Sequence, residues 1–157
     1  MNVRRAAVAV AAVALSACAT SAIPPSPPTA TLAQVERALA LDERCARATV
    51  AGLIGAMNAN DERSLGELLA AASVTLPGRP SYPTANEAVA VLLQRSRLGE
   101  RWSLTRLDVN GRGWDGGVHF GVYLRRDAPD LGSRQSAGKG VILCPEGRFA
   151  ILGISDG

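Results

Sequence analysis

Few side chains in this 157-residue sequence could take part in chemistry: one histidine, two tyrosines, three cysteines and fourteen carboxylates. General acid/base catalysis needs a carboxylate or imidazole set against a tyrosine or a protonated acid. The candidates are His119, Tyr123 and Asp115, with Asp108 and Tyr82 behind them. His119 and Tyr123 fall on one face of a predicted strand, two pleats apart, a separation of ~13 Å by strand rise. That is too far for direct contact, although both could line one wall. The plain alternative makes His119 a surface or hydrogen-bonded sheet residue. On the same plain reading Trp102 and Trp114 are packing or hairpin residues, and Arg125-Arg126, Arg95 and Arg97 form solvated faces. The balance leans away from an enzyme, with no catalytic residue assigned beyond these candidates.

Two literal motif matches fail on context. Gly111-Arg-Gly113-Trp-Asp-Gly116 satisfies G-x-G-x-x-G, but a dinucleotide loop must lead from a strand into a helix. Here the strand-like run Val118-His-Phe-Gly-Val-Tyr123 follows, so the glycines read as a hairpin turn. Gly138-Lys139 resembles the end of a P-loop, yet Ser133 stands at the required first glycine and Gly140 replaces the hydroxyl that would hold Mg²⁺. No nucleophile elbow or H-E-x-x-H motif occurs. No cofactor and no metal are expected.

The N-terminus carries a different chemistry. Arg4-Arg5 precede a mostly apolar run from Ala6 to Ala17, the layout of an export signal and far short of the ~20 residues that cross a bilayer as a helix. Leu15-Ser16-Ala17-Cys18 resembles the lipobox of bacterial lipoproteins. The resemblance implies cleavage before Cys18, a diacylglycerol thioether on its sulfur and a fatty acid such as palmitate on the new amine. It also implies outer-membrane sorting on the periplasmic side, because Ala19 rather than Asp follows, if the cell has such a membrane. The alternative is an ordinary signal peptide cleaved after Ala17 or Ala19, with Cys18 incidental. The chain then divides into a signal (1–17), a proline-rich tether (18–30) and one domain (31–157). Extended at ~3.1 Å per residue, the tether would reach ~40 Å.

Cys45 and Cys144 remain, an even pair in an oxidising compartment, outside any C-x-x-C spacing and away from His119. A disulfide between them is expected; two separate buried thiols are the alternative. Sixteen arginines and one lysine give a formal +3, but Arg4 and Arg5 leave with the signal. The remaining surplus is too small for a charge-driven nucleic-acid binder.

These residues must be positioned by the elements of the domain. Thr31-Leu-Ala-Gln34 reads as a capping box opening a helix to about Asn58, with Ala46, Val50, Leu53, Ile54 and Met57 as its apolar stripe. Ser64-Leu-Gly-Glu67 reads as a second capping box, starting a helix through Ala72, and Thr84-Ala-Asn-Glu87 as a third, starting a helix to about Arg97. Ser73–Leu76 is a short strand candidate. Strands over 101–110, 117–126, 134–144 and 148–155 follow, separated by glycine, proline and acidic turns. Within the second, Val118, Phe120, Val122 and Leu124 point one way and His119, Gly121, Tyr123 and Arg125 the other. The fold class is α+β, with N-terminal helices on an antiparallel sheet.

Val50-Ala-Gly-Leu-Ile-Gly-Ala-Met-Asn-Ala-Asn-Asp-Glu-Arg-Ser-Leu-Gly-Glu-Leu-Leu69 resembles the opening of the nuclear-transport-factor-2-like superfamily, and the later element order is similar to it through residue 155. That resemblance implies a strongly curved, cone-like sheet around helices, often with a pocket, and frequent homodimers through the open sheet face. It names no reaction. The functional expectation is a lipid-anchored envelope domain that binds a partner protein or a small apolar ligand; the alternative is a small acid/base enzyme of isomerase or cyclase type.

Overall fold

The computed structural model describes residues 30–78, 82 and 84–156. The expected signal, Cys18, most of the tether and the loop positions 79–81 and 83 lie outside the described residues. Helix α1 (Leu32–Ala59) is unbroken over 28 residues. Thr31 caps it as expected: its hydroxyl accepts from Gln34 N–H at 3.3 Å while Gln34 Oε1 accepts from Thr31 N–H at 2.8 Å. Asn60 closes it in the left-handed region, at φ 56°. Helix α2 (Glu62–Leu69) corrects the second capping box: the N-cap is Asp61, whose carboxylate accepts from Ser64 N–H at 3.1 Å. An ionised cap outcompetes a serine one turn later because it also neutralises the positive helix end. After strand β1 (Ser73–Thr75), helix α3 (Ala85–Arg97) starts at the expected Thr84 cap.

Strands β2 (Arg101–Arg112), β3 (Val118–Ala128), β4 (Gly132–Leu143) and β5 (Arg148–Asp156) form an antiparallel meander. The meander is antiparallel as expected, and β1, whose place the sequence leaves open, joins its far edge parallel to β5, so the sheet as a whole is mixed, in the order β1-β5-β4-β3-β2. It does not close into a barrel. Register shifts at Leu104/Arg106 and Val109/Gly111 bend β2, and another falls at Val141/Ile142.

The alternation along β3 holds, with Val118, Phe120, Val122 and Leu124 buried. They meet Ala46, Val50, Leu53 and Met57 of α1, Leu65 and Leu69 of α2, Leu92 and Leu93 of α3, and Phe149, Leu152 and Ile154 of β5. Phe120 and Phe149 pack edge to face with centroids 5.9 Å apart. Helix α1 runs antiparallel along β2. At one end the Asn58 amide brackets the Trp102 backbone, donating to its carbonyl and accepting from its N–H, each at 2.8 Å. At the other, Arg112 pairs with buried Asp42 at 2.5 Å. The disulfide Cys45–Cys144 ties the same end of α1 to the close of β4.

Candidate functional site

Three of the polar or concave places among the described residues bear on the site. The first lies inside the cone. Beyond Leu124, Arg126 continues the inward-facing side of β3 and is buried, contrary to its reading as part of a solvated face. Its Nε donates to Glu100 Oε1 at 2.7 Å, and Nη1 donates to Asp156 Oδ1 at 2.5 Å and to Ser136 Oγ at 3.3 Å. Trp102 Nε1 donates to the same Glu100 oxygen at 2.6 Å. Burial pushes the Glu100 carboxyl up, but the hydrogen bonds from Arg126 and Trp102, with the charges of Arg126 and Arg95, hold it below the ordinary glutamate range. It stays ionised with Oε1 held by two donors, which is the state of a structural anion and a poor proton acceptor. Arg95 also departs from its solvated reading, donating to the Pro77 carbonyl from a half-buried position. Arg97 is exposed.

The second place is the outer sheet face, where His119 and Asp115 meet. His119 Nε2 stands 3.2 Å from both Asp115 oxygens. Asp115 sits in the β2–β3 hairpin and accepts from Gly117 N–H at 3.1 Å. That backbone bond, then the one to His119, holds its carboxyl below the ordinary range. The hairpin folds back so closely that a Cβ on Gly113 would collide with His119 Nε2. Tyr123 lies elsewhere on this face, under the Arg106 guanidinium at 4.7 Å, and Asp108 pairs with Arg106 at 2.5 Å. Tyr82 is in the buried core. The sequence candidates thus form two exposed groups, Asp115–His119 and Asp108–Arg106–Tyr123, and neither faces the interior of the cone. Among the described residues, no group of three or more His, Cys, Asp or Glu side chains could hold a metal.

The third place is a trough along α1. Gly52, Gly55, Ala56 and Ala59 form its floor, Leu68 and Ala70 one wall, and the β4–β5 turn the other, around a volume of about 910 Å³. Asp61, Glu67, Glu146 and Arg148 stand on the rim. Gly147 also borders a more apolar hollow of about 600 Å³ lined by Ala38, Leu41, Cys45, Ala48 and Pro145. The turn approaches the helix because Gly147 adopts φ 66° and would bring a Cβ within 3.5 Å of Thr49 Oγ1.

Reasoning from sequence anticipated the small residues beside Cys45 but missed the Glu100–Arg126–Asp156 network. Its signal was present: position 126 has the same parity as 118, 120, 122 and 124. Asp42–Arg112 left no such signal, since a helix and a strand seventy positions apart share no period.

No family model and no curated protein matches the sequence. Solved structures do. A Streptomyces avermitilis protein named as a candidate dehydratase of the NTF2-like family superposes with TM-score 0.62 at 16% identity, covering 74% of this chain and 97% of that one. A Methylobium petroleophilum protein of unknown function with a cystatin-like fold gives 0.60 at 11% identity, covering 74% and 78%. The epoxide hydrolase/cyclase-like enzyme SalBIII of salinomycin pyran ring formation gives 0.56 at 17% identity, covering 74% and 94%. The domain therefore has the nuclear-transport-factor-2-like fold: helices on an open, mixed five-stranded sheet. At these identities the likeness extends to the fold and no further.

Proposed function

We propose that this protein is a lipid-anchored component of the bacterial envelope whose domain holds a partner protein without catalysing a reaction on it. The observation that carries the reading is the filled cone. Phe120, Phe149, Leu92, Leu124, Ile142 and Ile154 are fully buried between the helices and the sheet. The charged groups beyond them, Glu100 and Arg126, are spent on each other and on Trp102, Ser136 and Asp156. Binding then falls to the outside, and the trough along α1 is the surface shaped for it. Its floor of glycine and alanine lets a segment approach the helix backbone closely. It is open along its length, whereas small-molecule sites bury most of their ligand. A segment of a partner protein suits it better than a small apolar ligand does.

Gly55 provides the test, because a side chain added there meets nothing within 4 Å. Gly55→Arg should fold normally and fill the trough. Native lipidated protein should cross-link to a defined partner, the Gly55→Arg form should lose that partner, and Tyr123→Ser on the outer sheet should keep it. Equal capture by all three would refute the trough. Cys18→Ala should leave the membrane fraction; unchanged anchoring and mass would refute the lipid anchor.

An acid/base enzyme is the second reading. It is favoured by the Asp115–His119 pair, in which a carboxylate orients an imidazole, and by dehydratase and epoxide hydrolase/cyclase names among proteins of this fold. Turnover of a hydratable or epoxide substrate that disappears in His119→Gln would establish it.

A further inference from the structure

The apolar stripe of α1 does not stop where the sheet stops. Leu32, Val35 and Leu39 continue, at helical spacing, the face that carries buried Ala46, Leu53 and Met57. Yet every residue from Thr31 to Leu41 is exposed, with Leu32 at 83% and Leu39 at 52%. A face of the kind that is buried further along the helix thus runs past the end of the domain, with Leu39 beside Gly111 and with Leu32 and Val35 exposed among the described residues.

The β2–β3 hairpin projects at the same end. A Cβ on Gly111 would lie 3.9 Å from Leu39 Cδ2, and Arg112 pairs with Asp42 and also donates to the Gly116 carbonyl. Two residues further, at the tip, Trp114 is 100% exposed. An indole wholly in water is a costly group, and its apolar body with one N–H suits the boundary between lipid headgroups and acyl chains. The chain that leads back to Cys18 also leaves from this end, since Ala30 immediately precedes the α1 cap.

We infer that this end of the domain is a lipid-interface contact, in which Trp114 enters the headgroup–acyl boundary with Leu32 and Val35 beside it. The inference rests on the anchored reading above: once Cys18 is acylated, the ~40 Å tether keeps the end that carries it within reach of the bilayer. Glu36 and Arg37 offset each other in charge on the projecting turns, and Arg112 at the hairpin is paired with Asp42. The contact therefore needs no anionic lipid, and a zwitterionic surface suffices.

The two tryptophans make the test direct. Trp102 is buried and hydrogen-bonded to Glu100, so a change of emission on membrane attachment reports Trp114. Full-length acylated protein in phosphatidylcholine vesicles should show a blue-shifted Trp114 component, quenched by brominated acyl chains and absent from Trp114→Ser. Acylated, vesicle-bound protein whose Trp114 emission stays at its water wavelength would overturn the contact and leave the anchor standing. Absence of an acyl mass on Cys18 would remove the anchor, and the contact with it. A concentration-dependent blue shift of Cys18→Ala protein without lipid would put a second copy on this surface and overturn the proposal.

Discussion

The two ends of α1 are fastened to the sheet by opposite means. At the Asn58 end the fastening is polar and largely dry: the amide brackets Trp102, Glu100 and Arg126 are buried around the same indole with Ser136, and Asp156, 42% exposed, closes the network from its edge. At the Asp42 end it is covalent and wet: the Cys45–Cys144 bridge, an Arg112 side chain still 43% exposed, and a hairpin whose Asp115–His119 pair faces solvent. The same residue types are present at both ends, yet burial fixes their roles. A charge withdrawn from water must be paired and is costly to unpair, whereas one in water is screened and free to titrate. The dry end is thereby committed to holding the fold. The wet end retains exposed Trp114, Leu32 and His119, and it is there that a surface for contact with other molecules is left.

That contrast can be broken most forcefully from the dry end. Arg126→Met leaves Glu100 buried without its cation, and we expect a loss of about 3–5 kcal/mol in urea or thermal unfolding. Removing the covalent tie with Cys45→Ala and Cys144→Ala should cost about 2–4 kcal/mol, given a sequence separation of 99. Protease sensitivity should rise first at the hairpin end; a uniform loss of protection would contradict the division of labour between the ends. Glu100→Gln weakens charge-assisted bonds from Arg126 and Trp102, at a cost of about 1.5–3 kcal/mol at neutral pH.

The same variant tests the pH dependence. Because the Glu100 carboxyl is held below its ordinary range in the folded state, its stabilisation is complete above that range and is lost as pH falls through the lowered value. The native protein should therefore show a steeper acid limb than Glu100→Gln, and coincident limbs would refute the assignment. The smallest effect belongs to the wet end. Asp115→Asn should leave the unfolding midpoint unmoved while moving the His119 side-chain NMR signals, because the imidazole loses its carboxylate neighbour. A clear loss of stability would mean that the outer pair is structural after all.

How far these features could be read in advance depends on their range along the chain. The capped starts of α1 and α3 and the inward side of β3 follow from local periods and caps, and all were visible. Asp61 displaced Ser64 as the cap of α2 because two plausible N-caps stand three residues apart and the ionised one prevails. The parallel seat of β1 beside β5 links residues nearly eighty positions apart, a pairing that no local pattern encodes. The candidate residues divided in the same way. Proximity along one hairpin joined Asp115 to His119, whereas Glu100, Arg126 and Asp156 came together only through the sheet.

By itself, then, the sequence determined the order and kind of the elements, the even pair of cysteines and the few residues able to do chemistry, because these depend on composition and on periods of two and 3.6. Tertiary structure alone decided which side of the sheet each group would occupy and what would stand against it. It filled the cone, turned Arg126 inward into a network and left Asp115, His119 and Trp114 in water. The reason is that burial is a property of the whole chain: whether a charge pairs or titrates depends on solvent excluded by residues far away in sequence.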